Sequence, residues 1–376
     1  MSRLLARPTN PVVAAPPVIT ATRRATHPWA WWCWAIGAAA AVSLTHNLAL
    51  IVLVCAAVTV VVVSRRSDAP WARAMGLYLW LAGIIVLTRL AFQITIGGIR
   101  YGTVLFTLPR IALPAWAAGI QIGGPVTLEG IVFTLSDAGR LAAMIICLGS
   151  ANALANPKRA LRSVPSALYE VSTALVIAMS VAPQLIESAQ RVRRARRLRG
   201  AGAKGFRAAC ALIVPVLQDA VERSMSLAAG MESRGYGSTR NHARVGRGAG
   251  LAMLASLALL GFGTFALLSL SDGAPLALTS LSAGLVAAVA ALRISGRQLA
   301  VTRYRPEPWQ AREHVTALAG LGTLMATIAL TRTAPSVATP TNSPVGWPPL
   351  HPLMLVIVAL VLVPIAVTTT PPAGEA

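Results

Sequence analysis

The chain has 376 residues, of which 55% are hydrophobic and only 12% are charged. This excludes an ordinary soluble globular protein, which needs more polar surface at that length. In a soluble chain the formal net charge of +21 would suggest nucleic-acid binding. In a membrane chain, basic residues instead lie in cytoplasmic loops and beside anionic lipid headgroups. Long apolar runs without alternation favour an all-α polytopic membrane helical bundle over a β-barrel.

In chain order, the first feature is a stretch rich in Pro and Thr, residues 1–28, for which we expect a disordered cytoplasmic tail. Eight apolar runs of about 17–22 residues follow, roughly the length that crosses a ~30 Å hydrocarbon core as a helix. The predicted spans are 29–45, 47–63, 74–96, 128–150, 249–271, 276–292, 315–331 and 352–369.

The basic residues orient these spans. With a cytoplasmic N-terminus, 28 of the 33 Lys and Arg residues fall in inside segments, as the positive-inside rule requires. Of the others, Arg89 and Arg140 lie within spans, and Arg100, Arg110 and Arg332 lie outside. We therefore expect a multi-pass protein of the plasma (inner) membrane with its N-terminus in the cytoplasm.

Hydropathy divides the chain into blocks. Residues 29–150 form an N-terminal membrane block of four spans, with a Gly- and Pro-rich interfacial segment at 97–127. Residues 151–247 form a cytoplasmic module, and 248–376 a C-terminal membrane block of about four spans. If the apolar run 166–186 crossed, the following arginine-rich stretch would lie outside or an extra span would be needed. We therefore predict a long helix that does not cross and lies at the cytoplasmic membrane surface or against the bundle.

Two stretches of the cytoplasmic module have helical periodicity and end in glycine. In 184–200, "QLIESAQRVRRARRLRG", apolar residues recur at spacings of three and four, and arginines crowd the other positions. Gly200 readily adopts the left-handed conformation of a C-cap, so the helix should end there with arginines in its last turn. The apolar stripe consists of Leu185, Ala189, Val192, Ala195 and Leu198.

The stretch 216–237, "VLQDAVERSMSLAAGMESRGYG", repeats this pattern. Pro215 is expected to break or kink the preceding turn, and Gly235 to end the helix with Arg234 in its last turn. The second stripe consists of Leu217, Val221, Met225, Ala228 and Met231. Each helix thus presents arginine at a glycine-terminated tip, where a guanidinium can make a bidentate pair with a partner carboxylate.

The motif "MESRGYG" and the earlier "AQRVRRARRLRG" resemble the paired Ala-Arg-Gly-type signatures of the T components of energy-coupling factor (ECF) transporters, the EcfT/CbiQ family. The stretches "NPKRALRSVP", "LIVPVLQDAVERSMSLAAGMESRGYG" and "TVLFTLPRIALPAWAAGIQIGGPVTLEG" are also similar to that family. The resemblance covers about residues 27–250.

This resemblance implies a transport scaffold that joins a membrane S component, which binds vitamins or transition-metal ions, to two cytosolic ABC-type ATPases. The implied ATPase-docking residues of the second motif are Ser233, Arg234 and Gly235. Those of the first are Ala195, Arg196 and Arg197, with Arg199 and Gly200 as the alternative register. The implied S-component-facing stripe consists of Leu185, Val192, Leu217, Val221 and Met225.

The chain itself is not expected to be an enzyme. It contains no G-x-x-x-x-G-K-[ST] run, and "GRGAG" at 246–250 reads as a helix start rather than as a Gly-rich loop. The four cysteines and five histidines have no ligand spacing. We therefore expect no catalytic residues, metal site, cofactor or nucleic-acid partner.

Two other functions remain open. A membrane-anchored basic module would bind anionic lipid or nucleic acid through many interchangeable arginines. An autonomous transporter or channel would place polar residues opposite one another in repeated, broken helices. Arg89, Asp137 and Arg140 are the charges within spans, and we interpret them as structural, with an Asp137–Arg140 pair one turn apart and Arg89 snorkelling towards the interface.

Overall fold

A computed structural model describes residues 25–66, 74–97, 102–111, 122–164, 168–200, 206–236, 247–269, 274–298, 307–340, 346–347 and 349–369. The described chain is almost wholly helical, which confirms the predicted all-α polytopic bundle. Nearly all of the predicted disordered tail lies outside the described residues.

The elements are given in chain order. The first half contains α1 (Pro28–Ser43), α2 (Leu48–Arg65), α3 (Ala74–Thr95), β1 (Val104–Ile111), β2 (Ile122–Thr127), α4 (Leu128–Leu154), α5 (Pro157–Arg162) and α6 (Tyr169–Leu198). The second half contains α7 (Phe206–Glu232), α8 (Arg247–Ser269), α9 (Ala274–Gln298), α10 (Ala311–Thr333), α11 (Pro335–Ala338) and α12 (Pro352–Val367).

Two compact units divide the chain. The outer unit consists of Met1–Asn156 and Pro308–Ala376, and the inserted unit of Pro157–Glu307. The boundaries predicted from hydropathy at 150 and 248 separate a cytoplasmic module from two membrane blocks, and that division remains a prediction. By contacts, α8 and α9 group with α6 and α7, whereas α10 and α12 group with the N-terminal helices.

The core of the outer unit forms where α1 packs on α4 and α10, and α12 on α2 and α10. Gly37 of α1 and Gly320 of α10 mark a close helix approach: a Cβ on Gly37 would collide with the Gly320 backbone, and one on Gly320 with the Trp34 backbone. Small residues therefore let two apolar helices pack backbone to backbone, as is common in membrane bundles.

The turn between α1 and α2 is fastened to α11. The Thr45 hydroxyl donates to the Ala338 carbonyl at 2.8 Å, and the Asn47 amide nitrogen donates to the Val337 carbonyl at 2.8 Å. Both polar side chains are fully buried, so these bonds satisfy groups that would be costly to leave unpaired. They join segments about 290 residues apart in sequence.

A β-hairpin occupies part of the segment predicted to be interfacial. β1 pairs antiparallel with β2, and the Thr103 backbone N–H donates to the Glu129 carboxylate at 2.8 Å, which fixes the hairpin on the start of α4. The sequence analysis missed these strands because Gly and Pro usually interrupt strands. Here Gly123 and Gly124 adopt φ of 86° and 115° within β2.

Seven described helices are long and apolar enough to cross a membrane: α2, α3, α4, α6, α8, α9 and α10. Six of them match predicted spans. The predicted spans 29–45 and 352–369 correspond to α1 and α12, whose 16 residues each reach about 24 Å. The seventh helix, α6, contains residues 169–186 of the run 166–186, and the placement of that run at the membrane surface remains a prediction.

The inserted unit contains two helical pairs, α6 with α7 and α8 with α9. α8 begins at Arg247, which confirms that "GRGAG" is a helix start. Gly263 of α8 lies against Ser280 and Leu281, and Gly284 of α9 lies against Leu260, so the second pair also packs through glycines.

Candidate functional site

The two arginine-tipped helices form an antiparallel pair. Arg223 of α7 donates to the Gln184 side chain of α6 at 3.0 Å, and Arg191 of α6 lies 3.7 Å from the Asp219 carboxylate of α7. Higher numbers on α6 thus contact lower numbers on α7. The pairing predicts that the C-terminal tips of the two helices lie at opposite ends.

The ends of the pair confirm this arrangement. Tyr169 at the start of α6 contacts Tyr236 just beyond α7, with ring centroids 6.3 Å apart. The C-terminal tip of α7, residues 233–235, is the second tip and therefore lies beside the start of α6. The C-terminal tip of α6, residues 195–200, is the first tip and lies at the far end of α6, 30 residues away. At 1.5 Å per residue the tips are separated by up to about 45 Å. One narrow groove on a partner cannot hold both.

Asp219 is the centre of the crossing between these helices. Its carboxylate accepts from Arg223 at 3.2 Å within α7, and it faces Arg191 and the buried Ser188 of α6. Hydrogen bonds from Ser188 and then from Arg223 lower the pKa of Asp219. The side chain is consequently charged at neutral pH and ties the two helices together.

The first tip ends as its sequence predicts. α6 ends at Leu198 with Arg196 and Arg197 in its last turn, and Gly200 follows with φ of 71°. The Gly200 backbone N–H donates to the Arg197 carbonyl at 3.1 Å. Only glycine adopts this left-handed conformation without a steric penalty, so the helix stops there.

The second tip also ends at its predicted glycine, with one difference. Gly235 has φ of 73° and donates to the Glu232 carbonyl at 2.8 Å, while Tyr236 donates back to Met231 at 3.0 Å. The helix itself ends at Glu232, so Arg234 lies in the turn after the helix rather than in its last turn. This turn presents the Arg234 side chain at an exposed position.

The two caps can be compared through their left-handed glycines. Each glycine N–H donates to the carbonyl three residues earlier, and an arginine precedes each glycine. On this alignment Arg199 corresponds to Arg234, whereas Arg196 corresponds to Met231, inside the helix. The geometry therefore matches the alternative register, Arg199–Gly200, to the second motif.

Pro215 does not break α7, so of the expected break or kink the break is wrong. The helix runs without interruption from Phe206 to Glu232, with Pro215 inside it. Such interior prolines are tolerated in apolar helices when neighbouring groups take up the freed carbonyl. As a result the second helix is ten residues longer at its start than the stretch 216–237 implied.

The apolar stripe of α7 is open to the surroundings. Leu217, Val221 and Met225 are 59%, 54% and 67% exposed. Ile213 and Val214 extend the stripe to the other side of Pro215, and the sequence analysis missed them because it placed the helix start after the proline. On α6, Leu185 and Val192 are half-buried, and Ala195 is exposed at the tip.

An open groove of about 810 Å³ lies beside the second tip. Arg234 and Ser233 line it together with Glu222 and Arg223, so its wall carries both acidic and basic side chains. The Ser233 hydroxyl donates to the Gly230 carbonyl at 3.0 Å, which directs this small side chain back to the helix. A partner segment can thus approach Arg234 closely.

The charges predicted within spans form one cluster in the outer unit. Arg140 donates to Asp137 at 3.1 Å, one turn away, which confirms the predicted pair. Arg89 of α3 also donates to Asp137, a partner that the sequence did not predict, and its expected snorkelling towards the interface stays a prediction. The pairing needed the contact between α3 and α4, which the separate spans did not reveal.

The described residues contain no group of three or more His, Cys, Asp or Glu side chains that could hold a metal ion. Cys33, Cys55, Cys147 and Cys210 are free thiols.

Comparison with known proteins assigns most of this architecture to one family. A family model described as "CbiQ: Cobalt transport protein" matches residues 23–245, more than half of the chain. The match runs from just before α1 to just beyond the second tip. No curated protein matches the chain.

Proposed function

The chain belongs to the CbiQ family of cobalt transport proteins, and from this membership we propose that it is the T component of an ECF-type importer. It is a multi-pass membrane protein of a transport family. In the proposed complex it binds two cytosolic ABC-type ATPases and one membrane S component, and the S component selects a transition-metal ion or a vitamin. ATP hydrolysis takes place on the partner subunits.

The observation that carries this proposal is the placement of the two glycine-capped tips at opposite ends of the α6–α7 pair. Each tip exposes an arginine immediately before a left-handed glycine, and up to about 45 Å separates them. A guanidinium in a short turn suits a bidentate pair with a carboxylate in a partner groove. Two equivalent tips suit two equivalent partner subunits.

The docking residue of the first tip is Arg199 in this proposal. Its position relative to Gly200 equals that of Arg234 relative to Gly235. Arg196 and Arg197 lie inside the helix and supply supporting charge near its C-terminus, where the macrodipole favours cations.

The mechanism is mechanical. ATP-driven closure of the two ATPases changes the distance between the tips. In response, α6 and α7 rotate about their contact at Asp219. The exposed stripe of Leu217, Val221 and Met225 passes this motion to the S component and tilts it in the membrane. Coupling of this kind requires rigid elements with two discrete arrangements.

The proposed topology follows from the same assignment. The N-terminus is cytoplasmic, the membrane is the plasma membrane, and α6 and α7 lie along its cytoplasmic surface within reach of the ATPases. Their exposed apolar side chains then face the bilayer surface and the S component rather than water.

Co-purification tests this function. The full chain would be co-expressed with ABC-type ATPases of its own genome and purified in detergent, in the wild type and as Arg234→Glu. Charge reversal is expected to reduce ATPase recovery, because the reversed charge repels the partner carboxylate. Arg194→Glu is the matched control, since Arg194 is an exposed arginine of the same pair that precedes Gly200 by six residues and lies outside the capping turn. Equal losses in both variants would favour a diffuse basic surface instead.

A further inference from the structure

The charge cluster of the outer unit carries one positive charge that the described residues do not balance. Two guanidinium groups, Arg89 and Arg140, share the single carboxylate of Asp137. His46 adds no further positive charge, because burial and the neighbouring Arg140 lower its pKa and the ring is neutral at pH 7. Its Nε2 lies 3.1 Å from the Arg140 guanidinium, which makes it an acceptor there.

The excess charge is located at Arg89. Arg140 is occupied by Asp137, by His46 and by the Ser43 carbonyl oxygen, the last at 3.5 Å. In the described structure Arg89 contacts Asp137 alone, and 46% of its side chain is exposed. A half-exposed guanidinium that one shared carboxylate only partly balances favours a second anion as its partner.

The contacts of Arg140 also fix the depth of the cluster. Ser43 ends α1 and His46 lies in the turn before α2, so the cluster is level with the ends of two apolar helices. This is the depth at which the headgroups of one leaflet begin. Leu77, Leu81 and Ile85 precede Arg89 at steps of four residues and so lie on one ridge of α3; the first two are exposed, an apolar surface of the kind that acyl chains cover.

From this combination we propose that Arg89, held by Asp137, binds the phosphate of an anionic phospholipid in the leaflet at the α1–α2 turn. The acyl chains of this lipid lie along the exposed face of α3. Planar guanidinium groups bind phosphate oxygens through two N–H donors, and Arg89 has donors left after its bond to Asp137. The site does not depend on the proposed coupling to ATPases.

Native mass spectrometry of the delipidated full chain in an uncharged detergent tests this site. Dioctanoyl phosphatidylglycerol, dioctanoyl phosphatidylcholine and inorganic phosphate would be titrated separately. We expect one phosphatidylglycerol to bind preferentially, with neither of the other two replacing it. Arg89→Gln should weaken that binding at least about fivefold, the loss expected for one basic residue facing anionic lipid.

Two further variants make the result decisive. Arg332→Gln removes an exposed arginine from the last turn of α10 and should leave binding unchanged. Arg89→Lys keeps the charge but loses the planar pair of donors, so it should fold even if Arg89→Gln does not and should bind phosphatidylglycerol more weakly than the wild type. The proposal is overturned if Arg89→Gln binds like the wild type, if Arg332→Gln loses as much, or if phosphate alone competes. The proposal is also overturned if the Arg89→Gln variant no longer binds a co-expressed S component but still binds phosphatidylglycerol. The anion that pairs with Arg89 would then be a carboxylate of the S component.

Discussion

The Asp219 carboxylate of α7 lies 3.7 Å from the Arg191 guanidinium of α6. Asp219 also accepts from Arg223 on its own helix, so one acidic side chain serves both members of the pair. Few other polar contacts between the two helices are present in the described residues, and the apolar stripe of α7 faces outwards. The relative placement of the two tips therefore depends strongly on this residue.

Replacing Asp219 should loosen the pair without unfolding the membrane core. In Asp219→Asn the neutral amide forms no ion pair with either guanidinium, and faster amide hydrogen exchange is expected in α6 and α7. The core helices α1, α2 and α4 should exchange at the wild-type rate, because they belong to the other compact unit. Uniformly faster exchange throughout the chain would contradict this local role.

The same contact predicts a pH dependence. The pKa of Asp219 is lowered below its ordinary value of 3.8 by Ser188 and Arg223, so its contribution is fully present above that value. The contribution is lost as pH falls through the lower pKa of the folded state. The difference in α6–α7 protection between wild type and Asp219→Asn should be constant from about pH 5 to 8 and shrink below about pH 4. A difference that instead vanished near neutral pH would point to another titrating group.

The approach of Gly37 to Gly320 makes both positions intolerant of a methyl group. Gly37→Ala should destabilise the outer unit by about 1–3 kcal/mol from overpacking, more than the roughly 1 kcal/mol that alanine gains in a helix. Gly83→Ala in α3 is the matched control, since a Cβ there meets nothing within 4 Å. Thermal unfolding in detergent should show a lower Tm for Gly37→Ala and an unchanged or higher Tm for Gly83→Ala.

The left-handed glycine of the second tip should matter for partner binding. Gly235→Ala puts a Cβ on a residue with φ of 73°, at a cost of about 1–2 kcal/mol, and the turn should relax and move Arg234. Gly230→Ala adds the same methyl group inside α7, where it meets nothing within 4 Å. Titration of a purified ATPase should show weaker binding for Gly235→Ala alone. Equal affinities for the two variants would mean that the cap does not position the docking side chain.

Much of this architecture could be predicted from local patterns. Helix ends at Gly200 and Gly235 follow from the residue type alone, and Asp137 and Arg140 are neighbours on any helix. Apolar run length likewise identified six of the seven helices that are long enough to cross.

Features that depend on tertiary contacts were not accessible in the same way. Nothing local to Arg89 indicates that Asp137, 48 residues away, is its partner. The antiparallel pairing that separates the tips includes the contact between Gln184 and Arg223, which are 39 residues apart. The break expected at Pro215 is absent, because the energetic cost of a proline inside a helix depends on its surroundings.

The central claim is that each tip binds one ATPase, and the stoichiometry of the complex tests it most directly. The chain would be purified with its ATPases without nucleotide, so that the ATPases do not join each other, and the mass of the complex measured by native mass spectrometry. Wild type should carry two ATPases, Arg199→Glu and Arg234→Glu one each, and the double variant none. Two ATPases retained on the double variant, or Arg196→Glu rather than Arg199→Glu removing one, would contradict the assignment of the tips.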